Sequence, residues 1–259
     1  MSAQHGDIAR LAELAASASS IVALTGAGIS VPSGIPDFRT PGTGIWENVD
    51  PMQVAHIDAF REDPARFWRF YGERFASLEG KQPNGAHEVL VELERAGVLD
   101  GVITQNVDML HRTAGSRELI EMHGSIATCS CFGCGEVISL AAARSLLRSA
   151  PGGVPRCEAC GESFRPDVVL FGEMLSQHAI LRARALCERA DLLLCIGSSL
   201  EVHPVAGLPL LTLSGGGEIA IITQGPTPLD EVASVRLSGD VVAEMRSLAA
   251  ALAGAGAAA

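Results

Sequence analysis

The run Ile21-Val-Ala-Leu24 empties into Thr25-Gly26-Ala27-Gly28, and this junction most constrains what the chain can fold into. An apolar, partly β-branched run without polar alternation reads as a buried strand of a parallel sheet. Glycines directly after such a strand let backbone N–H groups approach a pyrophosphate closely, so the junction predicts a dinucleotide site. The spacing departs from G-x-G-x-x-G, and Pro32 falls where the first turns of a long helix should run, removing a donor and stopping the helix. Pro36 and Pro41 keep the next residues irregular. A loop of this length that carries Asp37, Phe38 and Arg39 reads as a functional flap. An ordinary surface loop after a core strand would also show two glycines, so G-x-G alone does not separate the two readings.

At 259 residues the chain can bury a sizeable core, as one large domain or as a core with a smaller lobe. Its net charge of −11, with one Tyr, two Trp and eight Phe, argues against a nucleic-acid binder, which needs a basic footprint and stacking platforms. A cationic partner, such as a lysine-rich protein tail, suits this surface better. There is no charged-then-apolar leader and no apolar run of the ~20 residues that a membrane span needs, so the chain reads as cytoplasmic. Seven cysteines, four of them in C-x-x-C pairs, suit a reducing compartment and a metal better than a disulfide framework.

Along the chain, residues 7–18 show helical spacing through Ile8, Leu11, Leu14 and Ala15. A dehydrogenase-type unit needs an acidic residue about twenty positions past its glycines to hold the ribose. Here Asp50-Pro51 reads instead as an N-cap and first helical residue, so that partner is missing. Asp63-Pro64 opens a second helix, along which Phe67, Phe70, Tyr71, Arg74, Phe75 and Leu78 recur; Asn84 caps a third, over 87–95, which Gly97 ends. A short strand from Gly101 then releases Gln105, Asn106 and Asp108 at its C-terminal end, where open α/β sheets bind ligands. Asn106 could instead cap a helix over 108–112, a reading that accounts for one of these residues better than for three. Residues 118–122 form another strand, ending in His123-Gly124. Later come a helix over 176–190, a buried strand from Asp191 into Gly197-Ser198-Ser199, a strand over 218–222, and a last helix over 240–250. The Ala/Gly-rich end, residues 251–259, reads as a flexible tail.

Cys131-x-x-Cys134 and Cys157-x-x-Cys160 flank residues 135–156, and a glycine follows each pair. Short spacing places two thiolates on one cation, and four sulfurs fill a tetrahedral zinc sphere. A closed sphere leaves no position for substrate, so the zinc is expected to fold a small lobe and do no chemistry. A redox C-x-x-C is disfavoured by the doubled pair and the missing thioredoxin context. Cys129, Cys187 and Cys195 lie outside this pattern.

The glycine loop through Arg39, the run Thr104-Gln-Asn-Val-Asp-Met-Leu-His111, His123-Gly124, both cysteine pairs, Phe171-Gly172-Glu173 and Gly197-Ser198-Ser199 resemble, in order, the motifs of the sirtuins, NAD-dependent protein lysine deacylases. The resemblance implies an α/β fold: a Rossmann-like parallel sheet NAD-binding domain (1–40, 82–124 and 167–250) with a smaller lobe made of a helical insertion (41–81) and a zinc-binding insertion (125–166). It implies acyl-lysine proteins or peptides as substrates, and NAD contacts from Gly26, Ala27, Gly28, Ser30, Ile35, Asp37, Phe38, Arg39, Gln105, Asn106, Asp108, Gly197, Ser198, Ser199 and Val241. Sirtuins usually carry an Asn after the strand over 218–222; here Thr223 or Gln224 must serve. The family mechanism has the acyl oxygen displace nicotinamide from the ribose carbon, after which a histidine base activates a ribose hydroxyl. His123 matches that base, with Asn106 also at the catalytic centre. The resemblance further implies that Phe171, Gly172 and Glu173 pair with the peptide, with Val202 in Glu201-Val-His-Pro204 on a second edge. Tyr71 and Arg74 resemble the Tyr-x-x-Arg with which some sirtuins grip a succinyl or malonyl carboxylate. A zinc-ribbon adaptor and a mono-ADP-ribosyltransferase are the rival readings.

Overall fold

The computed structural model describes the chain except Met1, Arg39, Pro41, Thr43, residues 46–48, Glu79, Pro151 and residues 257–259. Helix α1 (Ser2–Ser17) leads into β1 (Ile21–Thr25). After a 3₁₀ turn (Ala27–Ser33) come α2 (Pro51–Val54), α3 (Ile57–Glu62), α4 (Pro64–Leu78) and α5 (Gly85–Arg95). Next are β2 (Gly101–Thr104), α6 (Leu110–Ala114), β3 (Leu119–Glu121), β4 (Gly124–Cys131), β5 (Val137–Ser139), α7 (Leu140–Ser149) and β6 (Phe164–Val168). The chain closes with α8 (Gln177–Arg189), β7 (Leu192–Ile196), α9 (Leu208–Ser214), β8 (Glu218–Ile222), β9 (Val235–Leu237) and α10 (Val241–Gly256).

Six strands form one sheet in the order β3-β2-β1-β7-β8-β9, and every pairing is parallel. Alternate residues of each strand serve opposite faces. Ile21, Ala23, Leu192 and Leu194 meet Leu11, Leu90 and Met245 of α1, α5 and α10, while Val22, Leu24, Leu193 and Cys195 meet Ala183 and Cys187 of α8. Burial on both faces is why these strands read as unbroken apolar runs. The chain steps outward from β1 to β2 and β3, then returns to lay β7 beside β1, so neighbouring connections diverge between β1 and β7. In such sheets the crevice lies at the strands' C-terminal ends, at this switch point.

The segments over 41–81 and 125–166, with Val168 and Leu170 just beyond them, share a separate apolar cluster, in which Phe60, Phe67, Trp68 and Phe75 pack on Ile126, Cys129, Phe164 and Val168. Trp68 Nε1 donates to Phe164 O at 2.9 Å, satisfying its one polar group in that core. A three-stranded antiparallel sheet, β5-β4-β6, carries the second segment.

The capping expectations hold at Asp50, which accepts from Met52 N, at Asp63, which accepts from Arg66 N, and at Asn84, which accepts from Ala86 N. The structure corrects other expectations. Asp108, not Asn106, accepts from the first N–H of α6, at 2.9 Å. Helix α10 runs to Gly256 rather than ending at 250, because alanine is the best helix former and Leu252 still packs on the core. Residues 202–204 lie in a turn, with Ala206 N donating to Val202 O at 2.9 Å, a conformation that the sequence does not signal. Strand β9 and helices α7 and α9 have no counterpart in the sequence reading. Among the described residues no helix is long and apolar enough to cross a membrane.

The two loops at the switch point are joined backbone to backbone. Gly26 N donates to Ile196 O at 3.0 Å and Gly28 N to Gly197 O at 2.8 Å. Gly197 has φ +62°, and a Cβ there would lie 2.2 Å from Ile29 N. Gly197→Ala is therefore expected to cost about 2 kcal/mol or more in unfolding free energy, from left-handed strain plus overpacking. Gly225→Ala, with nothing within 4 Å of the added methyl, is the control and should stay within about 0.5 kcal/mol. Urea midpoints compare the two.

Candidate active site

Three loops meet at the C-terminal ends of β1, β2 and β7. The first, after β1, is not an α-helix: Pro32 lies inside a 3₁₀ turn that Gly34 ends at φ +77°. It brings buried Ser30 under the crevice and leaves Ala27 and Ile35 half-buried. The second loop, after β2, carries Gln105, Asn106 and Asp108; the third carries Gly197, Ser198 and Ser199.

Hydrogen bonds knit these residues together. Asn106, 8% exposed, donates through Nδ2 to Gly26 O and to Ser30 Oγ, both at 3.1 Å. Ser30 Oγ donates to Asp108 Oδ2 at 2.6 Å, and Gln105 Nε2 to Ser198 Oγ at 2.9 Å. Burial raises the Asp108 carboxyl above its usual range, against the opposing hydrogen bonds from Ser30 and Leu110. The residues expected at the strand ends thus form two hydrogen-bonded sets, Asn106–Ser30–Asp108 and Gln105–Ser198.

His123 closes the site from the end of β3. Its Nδ1 lies 2.9 Å from Gln105 O; a carbonyl only accepts, so Nδ1 carries the proton and Nε2 carries the lone pair. Burial lowers the imidazole below its usual range, against the Gln105 carbonyl, so the ring is neutral at pH 7. Its own carbonyl accepts from Val169 N at 2.8 Å, and the following Gly124, at φ +74°, leaves no room for a side chain, since a Cβ would stand 2.1 Å from Asp167 O.

The flap residues are placed differently. Asp37 accepts from Thr40 N at 2.7 Å and from the Thr40 hydroxyl, so its carboxylate shapes its own turn. Phe38 is 37% exposed, and Arg39 lies outside the described residues. Beyond β8, Thr223 is half-buried, Gln224 exposed and Val241 half-buried at the start of α10. Arg236 organises this end, and the sequence reading missed it: its guanidinium bonds Asp230 Oδ1 at 3.0 Å, Leu237 O and Gly225 O, both at 2.5 Å, and Thr223 O. Only an arginine's fan of donors serves several acceptors at once, but nothing in the local sequence marks this one.

At the edge of the lobe, Phe171 shows 41% of its surface, while its main chain bonds residues 55–57 through Phe171 N to Ala55 O and Ile57 N to Phe171 O, both 2.9 Å. Gly172, at φ +84°, packs against His56. Glu173 is engaged on both oxygens, by Arg165 Nη1 at 2.7 Å and Leu170 N at 3.0 Å. Val202 is half-buried in its turn. On α4, Tyr71 stacks on Phe75 with centroids 5.2 Å apart. Burial raises its phenol, against the Arg74 charge. Arg74 folds back, its guanidinium 3.6 Å over the Phe70 ring and its Nη1 2.7 Å from Phe70 O.

Cys131, Cys134, Cys157 and Cys160 converge, with their sulfurs all within 4.8 Å of one another. Gly135 and Gly161 close the two knuckles at φ +76° and +79°, each donating its N–H to the carbonyl of the first cysteine of its pair. Gly133 N and Cys134 N point at Cys131 Sγ, at 3.4 and 3.5 Å. Four sulfurs so arranged fit one tetrahedral zinc ion. Strand β4 runs from Gly124 to Cys131, which separates that centre from His123 by on the order of 20 Å.

The Sir2 family model matches residues 26–204. The NAD-dependent protein deacetylase of Thermotoga maritima is 43% identical over 221 residues, covering 85% of this chain and 88% of its own. The NAD-dependent protein deacylase of Thermococcus sibiricus is 41% identical, covering 88% and 89%. A solved structure of Sir2 with p53 peptide and NAD+ superposes with a TM-score of 0.86 at 39% identity, covering 96% of this chain and 98% of that one. One of a Sir2 protein bound to a propionylated peptide gives 0.84 at 39% identity, covering 91% and 94%. A family model that matches residues 26–204 and relatives over 40% identical along most of their length mean that the chain belongs to the Sir2 family.

Proposed function

We propose that this chain is an NAD-dependent protein lysine deacylase that frees lysine and yields nicotinamide and O-acyl-ADP-ribose. The observation that carries the reading is His123, held neutral with its Nδ1 proton committed to Gln105 O, which leaves the lone pair on Nε2 to accept a proton. The names of the relatives, and the structures holding NAD+ or an acyl peptide, support it.

NAD supplies an electrophilic ribose carbon and a leaving group. In this reading Asn106, Asp108 and Gln105 bind its nicotinamide ribose and carboxamide. Ala27, Ser198 and Ser199 offer close backbone access to the phosphates beside Gly26 and Gly28, whose own N–H groups are taken by Ile196 O and Gly197 O, and Thr223, Gln224 and Val241 line the adenosine end. Ile35, Asp37 and Phe38 belong to the flap over the nicotinamide, with Arg39 assigned to the phosphates from the family motif. The acyl-lysine peptide passes between the sheet domain (1–40, 82–124, 167–250) and the lobe (41–81, 125–166), along Phe171, Gly172, Glu173 and Val202. His123 Nε2 takes the proton of a ribose hydroxyl, and the Gln105 carbonyl stabilises the imidazolium that results.

Because the imidazole is depressed below its ordinary value of 6.5, its base form dominates at neutral pH and is lost as pH falls. Accordingly kcat/KM should be flat near pH 7 and fall on an acid limb that lies below 6.5. His123→Ala should lose on the order of 10² to 10⁴ in rate and lose that limb, while NAD still binds. Mass spectrometry of NAD incubated with an acyl-lysine peptide tests the reaction itself: ADP-ribose left on protein, with no lysine freed, would instead indicate a mono-ADP-ribosyltransferase.

The four thiolates hold structural zinc, too far from His123 to touch the reacting atoms. Pure protein should carry one zinc per chain, and chelation should unfold the small lobe, with activity lost through stability. Circular dichroism and metal analysis before and after chelation check both points.

The acyl preference extends to succinyl and malonyl groups, supported by the Tyr71 phenol lying within the field of the Arg74 charge on one helix face. An acyl carboxylate would compete with Phe70 O for the guanidinium. A charge-assisted bond contributes about 1.5–3 kcal/mol, so Arg74→Met should lower kcat/KM for succinyl-lysine by about ten- to a hundredfold and spare acetyl-lysine. Equal losses on both substrates of one peptide would leave Tyr71 and Arg74 as packing residues.

A further inference from the structure

His87 and His111 are 0% and 2% exposed, sit on α5 and α6 with ring centroids 4.8 Å apart, and have no part in the roles assigned above. Asn84 N donates to His87 Nδ1 at 3.4 Å as part of the α5 capping box. Nδ1 is therefore the acceptor and the His87 proton is on Nε2, a buried atom with no partner. On the neighbouring ring His111 Nδ1 is also buried without a partner, whereas Nε2 lies 2.9 Å from Thr25 Oγ1. A proton on His111 Nδ1 would set two unpaired N–H donors on adjacent buried rings. A proton on Nε2 leaves a bare acceptor beside the His87 donor and is the less costly arrangement. Burial pushes His87 down to about 4 and His111 to about 3, so both rings are neutral at pH 7.

With its proton on Nε2, His111 donates to Thr25. Thr25 Oγ1 then donates to Thr104 Oγ1 at 2.8 Å, and the same Thr104 oxygen receives Asn106 N at 3.1 Å. At the other end of the chain, Asn84 Nδ2 donates to Ile29 O at 2.8 Å and to Ser33 Oγ at 2.9 Å. Asn106 Nδ2 reaches Gly26 O and Ser30 Oγ. Both ends of this buried line of groups therefore grip the same turn after β1.

We propose that His111 is a positioning residue for Asn106, fixing through the Thr25 and Thr104 hydroxyls the loop conformation that presents the Asn106 amide to the nicotinamide ribose, with His87 selecting the His111 tautomer. The proposal rests on the deacylase reading only for what Asn106 touches.

The test uses the full chain. In ¹⁵N-resolved spectra at pH 7, His111 should appear as the Nε2–H tautomer. His111→Leu should weaken NAD binding in calorimetry at least tenfold and lower kcat/KM for NAD to match, with KM for the acyl peptide within twofold of wild type. His111→Gln, which keeps an N–H at the reach of Nε2, should recover most of the loss. Should His111→Leu fail to fold, Thr25→Val removes the next link, the hydroxyl that His111 bonds, without changing shape and should show the same split. An Nδ1–H tautomer, wild-type NAD binding in the leucine or valine variant, or equal impairment of the Gln and Leu variants would overturn the proposal. Wild-type protein that bound no NAD would sink the deacylase reading, while the tautomer would still decide the role of His111.

Discussion

Gly28 N donates to Gly197 O at 2.8 Å, and Gly26 N to Ile196 O at 3.0 Å, across the point where the sheet's two halves diverge. Ordinary strand pairing ends there, yet the main chain of one loop continues to bond the main chain of the other. Any side chain at Gly28 or Gly197 would occupy the space of its neighbour's backbone, because a Cβ would come within 2.8 Å and 2.2 Å of it. The glycines thus serve a packing purpose before any ligand is considered. What they hold together is the floor on which Ser30, Asn106 and Ser198 meet.

That floor keeps polar groups in a buried place, which demands that each have a partner. Asn106 and Asp108 satisfy one another through Ser30, and Gln105 is held by Ser198. His123 gains its tautomer from the Gln105 carbonyl, so a main-chain group of the strand-end loop fixes which ring nitrogen carries the proton. Desolvation acts on the two ionisable members in opposite senses of charge: it raises Asp108 and lowers His123, and in both cases favours the neutral form.

The small lobe is built on another principle. Its two segments are far apart in sequence and meet through an aromatic cluster, while four cysteine sulfurs converge within the second segment alone. Strand β4 ties the two regions mechanically, since it begins beside His123 and ends at Cys131. The cysteine centre and His123 thus stand at opposite ends of one strand, out of contact with each other.

The strand–glycine junction, the helix caps at Asp50, Asp63 and Asn84, and the two cysteine knuckles were legible in the sequence, because each depends on neighbours within a few positions: side-chain periodicity, fixed φ of proline, or the reach of two thiolates to one ion. Those local signals also marked Gln105, Asn106 and Asp108 as a strand-end group, while the full α/β architecture and the choice of His123 came from the resemblance to the sirtuin motifs. Tertiary structure alone decided which partners those residues took. That Asp108 caps α6 while Asn106 binds Gly26, that Glu173 is occupied by Arg165, that Arg74 lies on Phe70, and that Arg236 gathers the loop after β8 are outcomes of competition among acceptors brought together from distant segments. A sequence specifies which donors and acceptors exist; only the folded chain, which removes water and sets their distances, determines which of them pair.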